Sequence, residues 1–275
     1  MPVVLGILAS LFIGMSDTFG RASARRADAV SHVSTQMLVG VIVALPLTLI
    51  IDSSFVGRDI ASGLLSGILV AGGLSVVYRG MADASSAVVA PVAAVFAAVL
   101  PLVWDLVQGA TLGALAIAGC AVAIVSLALT TFNPDLGEKV RAGLTLGIVG
   151  GFMFGLSIIF VVDTSEVSGV WPAVAQRASG FVAMALLAAQ RSLPTFLPPS
   201  VRRFGVLGGV TGALGMVFWT IGGQQGDLGT VSVISSTYPA VVVLLATQFD
   251  HDEMRWWQGL GVAGAIAGTA LIALS

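Results

Sequence analysis

The sequence predicts an all-α integral membrane protein with ten transmembrane helices arranged as two inverted five-helix repeats. Three observations carry that expectation: a composition too apolar for water, ten apolar runs of spanning length, and glycine patterns that return after about half the chain. Of the 275 residues, 57% are apolar and 9% charged, whereas a soluble domain carries about 25% charged residues. A helix needs about 20 mostly apolar residues to cross a bilayer. Such runs occupy 2–20, 33–51, 61–79, 85–105, 111–131, 143–162, 170–189, 204–222, 229–249 and 257–274.

The sixth run holds the strongest pattern. Gly143, Gly147, Gly151 and Gly155 recur every four residues, which puts them in one stripe along a helix where a second backbone can approach closely. In water each interior glycine costs roughly 1 kcal/mol against alanine, but in lipid the close packing it permits drives association. The stripe has an echo in the first run. Gly6, Ser10 and Gly14 fall on Gly147, Gly151 and Gly155 at a shift of 141, and Gly14-Met-Ser16 falls on Gly155-Leu-Ser157. A shift of 144 sets Asp83 on Asp227, and a shift of 145 sets Ala116-Ile-Ala-Gly-Cys120 on Gly261-Val-Ala-Gly-Ala265. Residues 1–132 and 142–275 therefore read as two units of five helices. An odd number turns the second unit upside down, the arrangement typical of secondary transporters with a site near the midplane.

Connections are short and carry turn residues: Arg25-Arg-Ala-Asp28, Asp52-Ser-Ser54, Asn133-Pro-Asp135, Pro198-Pro-Ser200 and Asp250-His-Asp-Glu253. The stretches near 132–141 and 190–203 read as loops. The net charge of −2 and the lack of a basic run give no sign of nucleic acid. The one cysteine, Cys120, lies among small apolar residues, which predicts a buried, unreactive thiol. The first run starts without a basic leader, so no cleavable signal peptide is expected.

The Gly14-Met-Ser16 and Gly155-Leu-Ser157 pairs, Arg177 in the second helix of the second half, and the segments Tyr78–Pro91 and Ile221–Val233 resemble the EamA-like transporters of the drug/metabolite transporter superfamily. Two features depart from that pattern: Gln36 stands where the 141 shift sets Arg177, and Ile13 replaces a tryptophan. The resemblance implies a ten-helix carrier in the cell (inner) membrane that exports small metabolites such as amino acids by rocking two halves about a central cavity. A lipid or lipid-linked sugar flippase of the same superfamily is the alternative.

Several residues are candidates for the substrate or its pathway. Arg177 is the deepest cation; it either meets an anionic group of the substrate or is structural, snorkelling to an interface or pairing with Glu166 or Asp163. Gln36, its repeat partner, offers a neutral hydrogen-bonding group. Asp17 either carries a proton in coupled transport or pairs with Arg21 one turn later. Ser16 and Ser157 lie in the paired first helices. Ser235, Ser236 and Tyr238 place hydroxyls before Pro239. Pro91, Pro101 and Pro239 are expected to kink the fourth and ninth helices. Tyr78, Trp219 and Gln224 sit near span ends, where an aromatic ring is also an interface anchor. Asp83 and Asp227 are expected at the starts of helices four and nine.

The sequence has no HExxH, no Gly-x-Gly-Asp and no GxxxxGK[ST], so no enzyme, metal centre or cofactor is expected. Energy then comes from a proton, a counter-solute or the substrate's own gradient. The expected partners are a small-molecule substrate and the bilayer, with the chain a monomer or homodimer. Ten Lys and Arg residues lie toward the connections after odd-numbered helices, against Arg58 and Arg177 on the other side. That count sets both termini outside, whereas the resemblance sets them in the cytoplasm.

Overall fold

The computed structural model describes residues 2–224 apart from 85, 108, 110–112, 132–136 and 163, then 234, 235, 237, 238, 241, 242, 244, 245 and 255–274. Among these residues every regular element is helical: α1 (Pro2–Ala24), α2 (Ala29–Ala44), α3 (Gly57–Asp83), α4 (Ser86–Val107), α5 (Ala114–Thr131), α6 (Gly137–Val162), α7 (Trp171–Gln190), α8 (Arg202–Gln224) and α9 (Trp256–Ala273), with short 3-10 turns at Leu45–Leu49 and Glu166–Ser168. The apolar runs thus fold as helices, and the run 229–249 lies largely outside the described residues. Five stretches among those described are both long and apolar enough to cross a membrane: Val3–Ala24, Ala29–Leu49, Gly57–Asp83, Lys139–Val161 and Trp171–Gln190.

Local chemistry sets the helix ends. The Asp28 carboxylate accepts the Val30 N–H at 2.8 Å and starts α2. Pro46 cannot donate inside a helix, so α2 stops at Ala44 and tightens into the 3-10 turn. Gly169, at φ 51°, makes the left-handed step after Glu166–Ser168. There Ser53 Oγ accepts the Val170 N–H, the Ser54 N–H donates to Val167 O, and Asp59 accepts from the Ser165 N–H and Oγ. The α2–α3 and α6–α7 connections are stitched together in this way at one end of the molecule. At the other end Ser31 Oγ donates to Pro194 O and the Leu197 N–H to Thr35 Oγ1.

Several expectations need correction. Helix α6 begins at Gly137, because Glu138, Lys139 and Arg141 are good helix formers that carry it past the apolar run. Asp83 does not open the fourth helix. It ends α3, exposed and paired with Arg79 one turn back, since nothing after Tyr78 stops that helix. Cys120 is half-buried, on a helix whose other residues are largely exposed. Pro91, which is buried, and Pro101 lie within α4, as their apolar run predicts. Arg21 is fully buried, so it anchors no connection and drops out of the orientation count.

The glycine stripe of α6 packs on α4: Gly143 against Val88, Gly147 against Val92, Gly151 against Ala93 and Phe96, and Gly155 against Leu100. Contacts between elements are reciprocal. Helix α1 packs on α8 and α3 on α6; α2 packs on α8 and α3 on α7; α2 also meets α7, and α5 meets α9. Single residues repeat the exchange. A Cβ on Gly14 would come 2.6 Å from Val241 Cβ, and one on Gly155 would come 2.6 Å from Leu100 Cβ; a shift of 141 turns one pair into the other with its partners swapped. Gly40 lies against Arg177 as Gly180 lies against Met37, here at a shift of 140.

Candidate functional site

The glycines that let α1, α2, α3 and α8 approach also bring polar residues together inside the bundle. Ser16 and Asp17 lie on the inner side of α1, both buried. Gln36, on the middle turns of α2, donates through Nε2 to Ser16 Oγ at 2.8 Å and to the Tyr78 hydroxyl at 3.2 Å. Ser16 Oγ in turn donates to Gly208 O at 2.8 Å, and the Tyr78 hydroxyl donates to Asp17 Oδ1 at 3.0 Å. Tyr78 is fully buried, and its ring lies over Gly20, where a Cβ would strike it. Arg21, one turn after Asp17, donates from Nε to Met81 O at 3.2 Å.

Arg177 joins this cluster through Gly212. Its Nη2 donates to Gly212 O at 3.1 Å, and its Nη1 lies 3.6 Å from Met37 Sδ. A Cβ on Gly212 would stand 2.8 Å from Ser16 Oγ and 3.3 Å from Gln36 Nε2, so one glycine touches both ends of the group. The snorkelling reading fails, because Arg177 is 8% exposed. Glu166 is exposed in the turn before α7 and does not pair with it, and Asp163 lies outside the described residues. Among the described residues the guanidinium has neutral partners only.

The structure therefore assembles Ser16, Asp17, Gln36, Tyr78 and Arg177. Ser157 belongs to a second cluster: its Oγ is 2.6 Å from Ser66 Oγ, which accepts from Gln176 Nε2 at 2.8 Å. Gln176, not Arg177, is thus the residue that plays Gln36's part in the second half. Trp219 is half-buried on α8 and makes no hydrogen bond to a described residue. Ser235 is buried and Tyr238 half-buried in the ninth run, where Thr237 Oγ1 lies 2.8 Å from Ser10 Oγ. Ser236, Pro239 and Asp227 lie outside the described residues, as do the side chains of Gln224 and Pro101.

Sequence reasoning missed His32, Ser66 and Gln176. His32, on the first turn of α2, is fully buried one turn before Gln36, with its ring edge-on to Tyr78 at 5.4 Å between centroids. Neither ring nitrogen has a partner among the described residues, nor has Gln36 Oε1. The i,i+4 spacing of His32 and Gln36 was the available signal. For Gln176 the signal was a shift of 140, which also aligns Gly40 with Gly180.

Comparison with known proteins bears on the whole chain. No curated protein matches it. The crystal structure of another protein superposes with a TM-score of 0.65 at 17% identity, over 99% of this chain and 96% of its own. At that identity the likeness is one of fold. Residues 141–274 match the model of the EamA-like transporter family. Over that second half this multi-pass membrane protein belongs to the EamA-like transporter family, part of the drug/metabolite transporter superfamily.

Proposed function

We propose that the chain is a secondary-active carrier exporting small metabolites that bear a carboxylate, by alternating access between two inverted halves, residues 1–132 and 142–275. The observation that carries this reading is Arg177. A cation at a helix centre costs about 3 kcal/mol to insert, yet this one is kept where, among the described residues, a carbonyl and a thioether are its partners. A guanidinium has five N–H donors, and a carboxylate takes two of them in a parallel fork. An anionic group on the cargo completes that set, and Ser16 and Gln36, which meet Arg177 at Gly212, offer a hydroxyl and an amide to the rest of it. The reciprocal contacts of Gly14 with Val241 and Gly155 with Leu100 support the inverted halves. The close-packed glycine faces of α1 and α6 are the surfaces on which those halves would pivot.

The test is the thermal stability of the purified full chain with amino acids, organic acids, nucleosides and cationic drugs. A ligand at 100 times its dissociation constant stabilises the folded state by about 2.7 kcal/mol. Carboxylate-bearing solutes should stabilise the wild type and leave Arg177→Ala and Arg177→Met unmoved. Equal stabilisation of the variants, or stabilisation by cationic solutes alone, overturns the assignment. A flat response to every soluble class shifts the cargo to lipid-like molecules.

A further inference from the structure

We propose that Asp17, Tyr78, Gln36 and His32 form an internal proton-binding site, with Asp17 the carboxylate that is neutralised and His32 the group that brings the proton in. Its use in transport rests on the carrier reading above; its existence does not.

Four observations converge on it. Asp17 is 6% exposed inside a membrane span, and its one hydrogen bond among the described residues comes from the Tyr78 hydroxyl. A carboxylate left with one donor in such surroundings is far from satisfied in its charged form. The Tyr78 hydroxyl is held from its other side by the Gln36 amide, so it faces Asp17 in one orientation. His32 stands against the Tyr78 ring, and among the described residues neither its nitrogens nor Gln36 Oε1, one turn away, has a hydrogen-bond partner. His32 is also on the first turn of α2, nearer the α1–α2 connection than Gln36 is. Finally, the second half carries Ile158 at the place of Asp17 and Pro172 at that of His32, so the site exists once.

Among the described residues the other charged or titratable groups around it are Arg21 on α1, Arg177 on α7, which lies near Tyr78, and Tyr238 of the ninth run, which lies near Asp17. Helix α8 presents Gly208 and Gly212 here. The step balances with hydronium as the proton source. The Tyr78 O–H bond breaks as an O–H bond forms on Asp17 Oδ1, and the phenol oxygen regains the proton that His32 took from a hydronium ion, which leaves as water. The net change is one aqueous proton bound and one carboxylate neutralised. If Arg177 holds an anion, binding of cargo and of the proton are then linked through the shared Tyr78 and Gln36.

The experiment is infrared difference spectroscopy of the full chain in lipid nanodiscs after an acid jump, with no cargo added. The wild type should gain the C=O band of a protonated carboxyl. Asp17→Asn should lose it. Tyr78→Phe, whose ring still fills the space over Gly20, should keep a band at a shifted wavenumber, because the protonated carboxyl has lost its hydrogen-bond partner. In His32→Gln the band should appear at least about tenfold more slowly, as expected for loss of a proton-transfer group. Identical difference spectra for wild type and Asp17→Asn overturn the site, and an unchanged rate in His32→Gln overturns the role of His32. Persistence of the band in Arg177→Lys separates this site from the cargo reading, so either can fail without the other.

Discussion

Ser16 and Ser157 stand 141 residues apart, and each ends a hydrogen-bond path from a glutamine one helix away, directly from Gln36 in one case and through Ser66 from Gln176 in the other. Their surroundings differ. Around Ser16 are Asp17, Tyr78 and His32; the matching positions around Ser157 are Ile158, Trp219 and Pro172. The contact on which the halves meet differs as well, since Met37 and Arg177 occupy matching places and touch one another. The frame of glycines and amides is common to both clusters, whereas Asp17, Tyr78 and His32 come from residues 1–132 and Arg177 from residues 142–275. Packing constrains a frame residue by residue, because a methyl added at a glycine such as Gly67 or Gly209 strikes the backbone of the facing helix, while chemistry is free to diverge within it.

That contrast can be broken at four places. The largest effect is expected at the frame itself. A Cβ on Gly67 would strike Gln176 O and Ser179 Oγ, harder than one on Gly209 would strike Gln36 O and Val39. Gly67→Ala should cost about 3 kcal/mol and Gly209→Ala nearer 1, within the range for overpacking. Thermal unfolding of the two variants reads this, and equal costs would mean that the halves are packed alike. Next is Arg177→Met, which makes the Met37 contact symmetric. Removing a buried charge with no ionic partner among the described residues should stabilise the fold by roughly 1–3 kcal/mol while abolishing the response to carboxylates. A destabilised variant would mean that the guanidinium is structural.

Smaller differences belong to the two networks. Ser66→Ala and Ser16→Ala each break two links, but Gln36 keeps Tyr78 whereas Gln176 loses its hydrogen bond to Ser66. Hydrogen bonds between membrane helices average about 0.6 kcal/mol, so Ser66→Ala should unfold at the lower temperature of the two, and the reverse order would contradict the network assignment. The least effect is expected from Arg79→Ala, which removes an exposed pair with Asp83 worth under about 0.5 kcal/mol. A loss of more than 1 kcal/mol there, by the same melt, would give that helix end an importance its exposure denies.

Much of this was legible in the residues. Apolar runs located the helices, because a bilayer demands length and apolarity of any segment that crosses it. The glycine stripe on α6 marked a close-packed face, and Arg177, Gln36, Tyr78 and Asp17 stood out as polar groups in apolar runs. The slip from Arg177 to Gln176 shows where such reading stops. Between the paired first and second helices the second half is one residue shorter, and one residue turns a helix by about 100°. Which side chain then faces inward follows from what packs against it, here Gly67 on Gln176 and Gly209 on Gln36.

By itself the sequence determined that the chain is a bundle of membrane helices with glycine-lined faces, since those features are local in composition or periodic along the chain. Only the tertiary structure decided that Asp17 meets Tyr78, that Arg177 reaches Gly212 and that His32 is buried beside them. Those meetings join residues on different helices, and no spacing within a helix encodes them; they follow from how closely the helices pack and how each is turned.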